Sequence, residues 1–265
     1  YQNAMDFALK VFKDLPEKIS IPTKCQPSLI NKVHFNTLHT ELDSLLMNKV
    51  LEISSHTSGI CLNSLLMACY FKLMNLWSGQ NDLIINMPVF NREQHLPNAK
   101  NIIGSFLDIF PVRIQTSPQE PIVSIARKIE QFVRTMLEYP ISSIELSRKI
   151  AEQEGLKQSS LSAIIFSNSI NMLPKGISHS SRYLTIGAPK VQTGAPGTYI
   201  DLVMYTWENK WCFDWNYVRE LFDAEYIQLL SEQFTSMLNQ LVDDTNTKGY
   251  EERSCSNILL SLIHI

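Results

Sequence analysis

At 265 residues with 45% hydrophobic content, the chain is long enough for one large or two modest packed domains and reads as globular. Its formal net charge of -3, with basic residues scattered along the whole length, lacks the clustered Lys and Arg that a nucleic-acid partner needs. The five cysteines (Cys25, Cys61, Cys69, Cys212, Cys255) are widely spaced without a CxxC pair, and no apolar run approaches bilayer length. These features predict a soluble protein of a reducing, cytoplasmic setting, with no disulfide framework, no bound metal and no membrane partner.

In chain order, YQNAMDFALKVFKDLP reads as an amphipathic helix that begins in its own middle. Residues 32 to 38 (KVHFNTL) are strand-like. Thr40, with Asp43 three positions on, then opens a helix carrying Leu42, Leu45, Leu46 and Ile53 on one side. After Ser58-Gly59, LNSLLMACYFKLMNLW is apolar on nearly every side, which predicts a buried helix ending at Ser78-Gly79. DLIINMPVF and GSFLDIFPVRI are strand candidates, the second with Phe106, Ile109 or Phe110, Val112 and Ile114 alternating. Glu120-Pro121 opens a helix through Tyr139, and Ser142 with Glu145 forms a capping box for another that stops at Gly155. LSAIIFSNSI is a further strand. The segment 171–197 carries Pro174, Gly176, Gly187, Pro189, Gly194, Pro196 and Gly197, too many breakers for an element interior, so it reads as a long connection.

The connection leads into a hairpin. Val203, Tyr205 and Trp207 share one face of the outgoing strand, Trp211, Phe213 and Trp215 share one face of the return strand, and Glu208-Asn209-Lys210 makes the turn. Asp223 caps the last helix, whose stripe is Tyr226, Leu229, Leu230, Phe234, Met237, Leu238 and Leu241. Residues 244–265 form a polar tail. Its last six residues, LSLIHI, resemble the conceptual translation of a transposon end used in sequencing libraries, and read equally as a short apolar strand.

Generic catalytic signatures are absent: no GxxxxGK[ST], no GxGxxG, no HExxH and no GxSxG, so kinase, dinucleotide-enzyme and serine-hydrolase readings fall away. The six histidines lie apart from one another, and each reads as a surface or loop residue before it reads as a ligand. Asp201, where the Gly/Pro connection gives way to apolar residues, reads either as a strand-starting carboxylate that accepts backbone N–H bonds or as chemistry.

A series of blocks carries a family resemblance. FNR at 90–92, IGSF at 103–106, IELSRKIAEQEG at 144–155, AIIFSN at 163–168, GAPGTYID at 194–201 and WCFDWNYVRELFD at 211–223 together resemble the condensation superfamily of nonribosomal peptide synthetases, most nearly its heterocyclisation branch. The resemblance covers about residues 1–243. It implies an α/β (α+β two-layer), chloramphenicol-acetyltransferase-like lobe: a mixed sheet with helices packed on it. In this division 1–243 is the C-terminal lobe of a condensation or heterocyclisation domain, and 1–30 is a lead-in from an N-terminal lobe outside the chain.

The resemblance also implies a reaction. A heterocyclisation domain joins an upstream acyl thioester to carrier-bound Cys, Ser or Thr, then closes the side chain onto the new amide to give a thiazoline or oxazoline. No cofactor is bound directly, because the substrates ride on phosphopantetheine arms. The implied partners are upstream and downstream peptidyl carrier proteins, the N-terminal lobe and a downstream adenylation domain. The branch's catalytic aspartate and threonine fall on Asp201 and Ser167, with Asn168, Pro196 and Arg92 as substrate-binding candidates.

There are departures from the branch pattern. Ser167 keeps the hydroxyl but loses the methyl of threonine, Asn168 replaces a serine, and Gly194, Ala195 and Gly197 replace Gln, Thr and Gln. Arg92 and Arg113 read either as contacts for a phosphopantetheine phosphate or as solvent-facing strand ends, and Gly104 as a backbone position. Neither HHxxxDG nor DxxxxD occurs in the chain, so the chain alone is not expected to be a complete catalyst. Other readings are an ordinary amide-forming condensation domain, a degenerate one that docks carrier proteins, and a stand-alone trimeric acyltransferase lobe.

Overall fold

Among the described residues the α-helices and strands follow in the order α1 (Gln2–Val11), β1 (Phe35–Leu42), α2 (Ser44–His56), α3 (Leu62–Ser78), β2 (Asp82–Phe90), β3 (Leu107–Gln115), α4 (Ile122–Leu137), α5 (Ser143–Gln153), β4 (Ile164–Ser169), β5 (Ile200–Trp207), β6 (Lys210–Val218) and α6 (Ala224–Lys248). The computed structural model describes residues 2–90, 102, 107–138, 141–155, 160–170, 197–208 and 210–248. Two compact units share these elements: Tyr1–Pro22, Ser64–Phe166 and Pro196–Thr198 make the first, and Thr23–Asn63, Ser167–Ala195 and Tyr199–Ile265 the second.

In the first unit the strand order is β4-β2-β3, with the Ile164–Phe166 half of β4 taking part. β2 runs antiparallel to β3 from Asp82↔Gln115 to Phe90↔Leu107 and parallel to β4 at Asn86↔Ile165. In β3 the buried residues include Phe110, Val112 and Ile114, the alternation of a strand with one face on a core. That core joins Phe110 and Ile84 to Met5 and Ala8 of α1, to Phe12 just past its end, and to Leu146 and Ile150 of α5. α3 is buried from Ser64 through Asn75, as its all-round apolar sequence predicts. The charge within it is satisfied, because Lys72 Nζ donates to the carbonyls of Pro118 (3.1 Å) and Glu120 (2.8 Å).

The second unit has the order β1-β6-β5-β4, with the Ser167–Ser169 half of β4. Both β1–β6 and β5–β6 are antiparallel. α6 packs on β1, β6 and α2. Phe234 of α6 meets the rings of Phe213 and Trp215 edge-on, with centroids 5.5 and 6.0 Å away. Burying each such ring stabilises the fold by on the order of 2–3 kcal/mol, so the return strand of the hairpin is core.

Three expectations change. The strand-to-helix handover lies later than Thr40, because the ladder with β6 continues to Leu42↔Trp211. The cap is Asp43, whose Oδ1 accepts from Leu45 N at 2.7 Å and Leu46 N at 3.3 Å. The hairpin turn is shorter than three residues: Trp207 pairs with Lys210, which belongs to β6, and Glu208 takes a left-handed φ of 47° to make the reversal. α6 runs on to Lys248, past the apolar stripe into the polar segment, with the Thr245 hydroxyl donating back to the Leu241 carbonyl at 2.9 Å. The Ser142 half of the capping box is present, with Ser142 Oγ accepting from Glu145 N at 3.5 Å, and Gly155 follows the end of α5 with a left-handed φ of 64°.

Candidate functional site

The β5–β6 register decides which side chains meet. Asp201 stands opposite Asn216, Val203 opposite Asp214 and Tyr205 opposite Cys212, so these six share one face. Leu202, Met204 and Thr206 share the other face with Trp215, Phe213 and Trp211, the face that carries the Phe234 contacts. The two aromatic sets of the hairpin therefore point in opposite directions.

On the first face lies a row of buried polar groups. Asp201, Asp214 and Asn216 are 1%, 2% and 0% exposed. Burying polar groups is tolerable only with partners, and partners are present. Ser167 Oγ, from β4 on the other side of β5, donates to Asp201 Oδ1 at 2.9 Å. Thr37 Oγ1, from β1, donates to Asn216 Oδ1 at 2.6 Å. Asp214 Oδ1 binds His39 Nδ1 at 2.7 Å, and Asp214 also receives the Tyr205 hydroxyl. Burial first, and Asp214 second, push the Tyr205 hydroxyl up, so it stays a donor. Burial, with the Glu41 and Asp214 carboxylates adding to it, pushes the Cys212 thiol up to about 11.

The structure thus brings together two of the five residues singled out from sequence. Ser167 and Asp201 are 34 positions apart yet in direct contact. A hydroxyl donating to a buried carboxylate is an arrangement that can pass a proton between a reacting group and the protein. Asn168, the next residue along β4, does not join them. Successive strand side chains point to opposite faces, and its amide donates to Asn63 Oδ1 at 3.1 Å while its Oδ1 accepts from Ile170 N at 2.9 Å. Pro196 and Arg92 lie outside the described residues, as do Gly104, Gly194 and Ala195. Gly197 has φ 81°, a left-handed backbone that a side chain strains, which is a local reason for glycine at that position.

Arg113 is held within the first unit. Nε and Nη2 grip Asp82, Nη1 donates to the Val11 and Lys13 carbonyls, and Nη2 donates to the Asp14 carbonyl. Its donors are all directed at protein acceptors, which is the work of a structural clamp, not of a phosphate contact.

Sequence reasoning missed Asn216, Thr37, Asp214 and His39. For the last two a weak signal existed, since His39-Thr40-Glu41 in a strand places His39 and Glu41 on one face. Their partners across the ladder depend on register, which no local pattern specifies.

The condensation-domain family model matches residues 1–257. The chain belongs to the condensation-domain family. Bacitracin synthase 1 of Bacillus licheniformis is 26% identical over 260 residues, 96% of this chain and 5% of that protein. The EpoB NRPS cyclization-docking bidomain from Sorangium cellulosum superposes with a TM-score of 0.78 at 20% identity, covering 95% of this chain and 50% of that one. The X-domain from teicoplanin biosynthesis superposes at 0.75 with 17% identity, covering 92% and 55%. The chain therefore spans a small part of the synthetase it resembles and about half of the structures it matches. The fold is the chloramphenicol-acetyltransferase-like α/β arrangement of nonribosomal peptide synthetase condensation domains. No helix among the described residues is long and apolar enough to cross a membrane.

Proposed function

We propose that this condensation-type chain is the C-terminal lobe of a heterocyclisation domain and supplies its proton-transfer pair. The observation that carries the proposal is the Ser167 Oγ to Asp201 Oδ1 hydrogen bond at 2.9 Å, on a carboxylate that is 1% exposed. Two substrates on phosphopantetheine arms of upstream and downstream carrier proteins meet at this face, and a partner lobe closes the other side. The amine of the downstream Cys, Ser or Thr attacks the upstream thioester, forming the amide and releasing the carrier thiol. The side-chain nucleophile then adds to the amide carbonyl carbon and gives up its proton. The former carbonyl oxygen gains two protons in all, the equivalent of the one the nucleophile gave up and the one the amide nitrogen loses, and leaves as water as the C=N bond of a thiazoline or oxazoline forms. Asp201 serves as base in the addition and as acid in the dehydration, with Ser167 relaying the proton.

A second reading is that the domain docks carrier proteins without closing rings. The engagement of Asn168 with Asn63 and the side-chain-free Gly197 favour it, since both withdraw polar groups that the heterocyclisation pattern offers.

The test is a turnover assay on the full-length parent with loaded carrier proteins, following products by mass. Wild type is expected to give the ring, and Asp201→Asn to accumulate the open amide with ring formation lower by roughly 10²-fold or more. Ring formation unchanged in Asp201→Asn removes Asp201 from the mechanism. Amide without ring in the wild type identifies ordinary condensation, and neither product identifies docking alone.

A further inference from the structure

We propose that the β1–β6 edge holds a binding site for a divalent cation of the zinc class, with His39, Glu41 and Cys212 as its ligands. β1 is the terminal strand of its unit's sheet, and its register with β6 sets Glu41 opposite Cys212 and His39 opposite Asp214. Residues two apart on each strand share a face, so these four side chains form one square on the edge. A ring nitrogen of His39, a carboxylate oxygen of Glu41 and the Sγ of Cys212 all lie within 4.8 Å of one another. Zinc bonds to N, O and S run about 2.0–2.3 Å, so its ligand atoms stand about 3–4 Å apart. Closing to those distances asks the ligand atoms to draw together by about 1 Å.

A second feature points to a ligand role for His39. Its Nδ1 is held at 2.7 Å by Asp214, whose side chain is only 3% exposed. A carboxylate on one ring nitrogen is the usual support of a metal-bound histidine: it fixes the tautomer with Nδ1 protonated and leaves the Nε2 lone pair for the cation. Tyr205 in turn holds Asp214. Glu41 binds Lys210 through Oε2 at 2.6 Å, which leaves Oε1 as the metal ligand. The side chains of His39 and Glu41 are 47% and 45% exposed and open the site to solvent, while Cys212, 2% exposed, forms its floor.

The donor chemistry selects the ion. Imidazole, thiolate and carboxylate together suit zinc, whereas magnesium and calcium take oxygen alone. Three protein ligands leave a fourth position for water. Asn216, the residue facing Asp201, is four positions along β6 from Cys212, so the cation sits about 13 Å from the Ser167–Asp201 pair. This inference does not depend on the heterocyclisation reading.

The experiment is titration of the full chain with zinc by calorimetry and with cobalt by absorption. Both use a background in which Cys25, Cys61 and Cys255 are changed to serine. One equivalent of each metal is expected, cobalt showing a thiolate charge-transfer band. Cys212→Ser should abolish that band. His39→Ala and Glu41→Gln should each weaken zinc at least ten-fold, with thermal unfolding of each variant measured first because His39 also partners the buried Asp214. Asp214→Asn should weaken binding about 10–100-fold with the band retained. No bound zinc in the background protein, a cobalt band that survives Cys212→Ser, or unchanged zinc affinity in His39→Ala overturns the site.

Discussion

Asn216 faces Asp201 across the β5–β6 ladder with no exposed surface, and its Oδ1 accepts the Thr37 hydroxyl at 2.6 Å while its Nδ2 has no hydrogen-bond partner among the described residues. A buried donor without a partner is uncommon, and here it stands beside the carboxylate assigned to chemistry. Replacing Asn216 with Ala removes one buried hydrogen bond and opens a small cavity, and should destabilise the chain by about 1–3 kcal/mol. Asn216→Asp separates packing from electrostatics. Burial and the neighbouring carboxylate raise the new carboxyl's pKa in the folded state. Its stability is therefore present below the unfolded value of about 3.9 and is lost as pH rises through the folded value. Thermal unfolding of both variants against wild type, near pH 4 and near pH 7, checks this. A gap between Asn216→Asp and wild type that fails to widen at the higher pH would mean that this face is wet.

Ser167 and Asp201 should differ in how substitution affects them. Ser167→Ala removes the donor to Asp201 and, in the full-length parent, should lower ring formation by roughly 10²-fold while amide formation persists. Ser167→Thr restores the hydroxyl with a methyl that restricts its rotamer and should match or exceed wild type. The ratio of cyclised to open product, by mass, is the readout. A threonine variant as poor as the alanine one would show that the hydroxyl's role is packing.

Much of the fold was legible because apolar period and breaker residues agree locally. α3 and the Ser142 cap of α5 appear at their predicted places, and the α6 stripe does so in part: Leu230, Phe234, Leu238 and Leu241 are buried, whereas Leu229 is exposed and Ile227 takes a buried place instead. What failed was information carried between strands. Thr40 resembles an N-cap, yet its hydroxyl lies in a paired strand, 3.2 Å from Ser231 Oγ. The aromatics of the hairpin declare their own strand's faces, but the register with Trp207 opposite Lys210 sends the two sets to opposite sides. The candidate site shows the same division: a resemblance points to Asp201 and Ser167, whereas no local pattern points to Asn216 and Asp214, which only the register brings onto the same face.

The cap assignment is itself testable. Asp43→Ala should destabilise by about 0.5–2 kcal/mol, the usual loss for an N-cap whose side chain accepts from the first turn. Asp43→Asn keeps an acceptor and should recover most of it. Amide exchange in Leu45 and Leu46 should quicken in the alanine variant before exchange in the middle of α2 does. If Asp43→Ala leaves both stability and exchange unchanged, the turn is capped by another group.

Arg113 supplies the last test, because its position distinguishes a clamp from a ligand-binding cation. The guanidinium joins Asp82 of β2 to the carbonyls of Val11, Lys13 and Asp14, where α1 ends and Asp14 takes a left-handed φ of 52°. Those carbonyls have no further turn of helix to accept from, so a planar fork of donors satisfies them and the Asp82 carboxylate together. A lysine ammonium carries the charge but cannot span the same acceptors. Arg113→Lys should therefore destabilise by about 2 kcal/mol, within the range for hydrogen bonds to charged groups. The loss should be local, with faster amide exchange across α1, whose Met5 and Ala8 enter the first unit's core together with Phe12 just beyond the helix. Calorimetric unfolding and exchange mass spectrometry on the full chain give both readouts. A lysine variant of wild-type stability and unaltered α1 exchange would return Arg113 to the set of residues free to meet a phosphate.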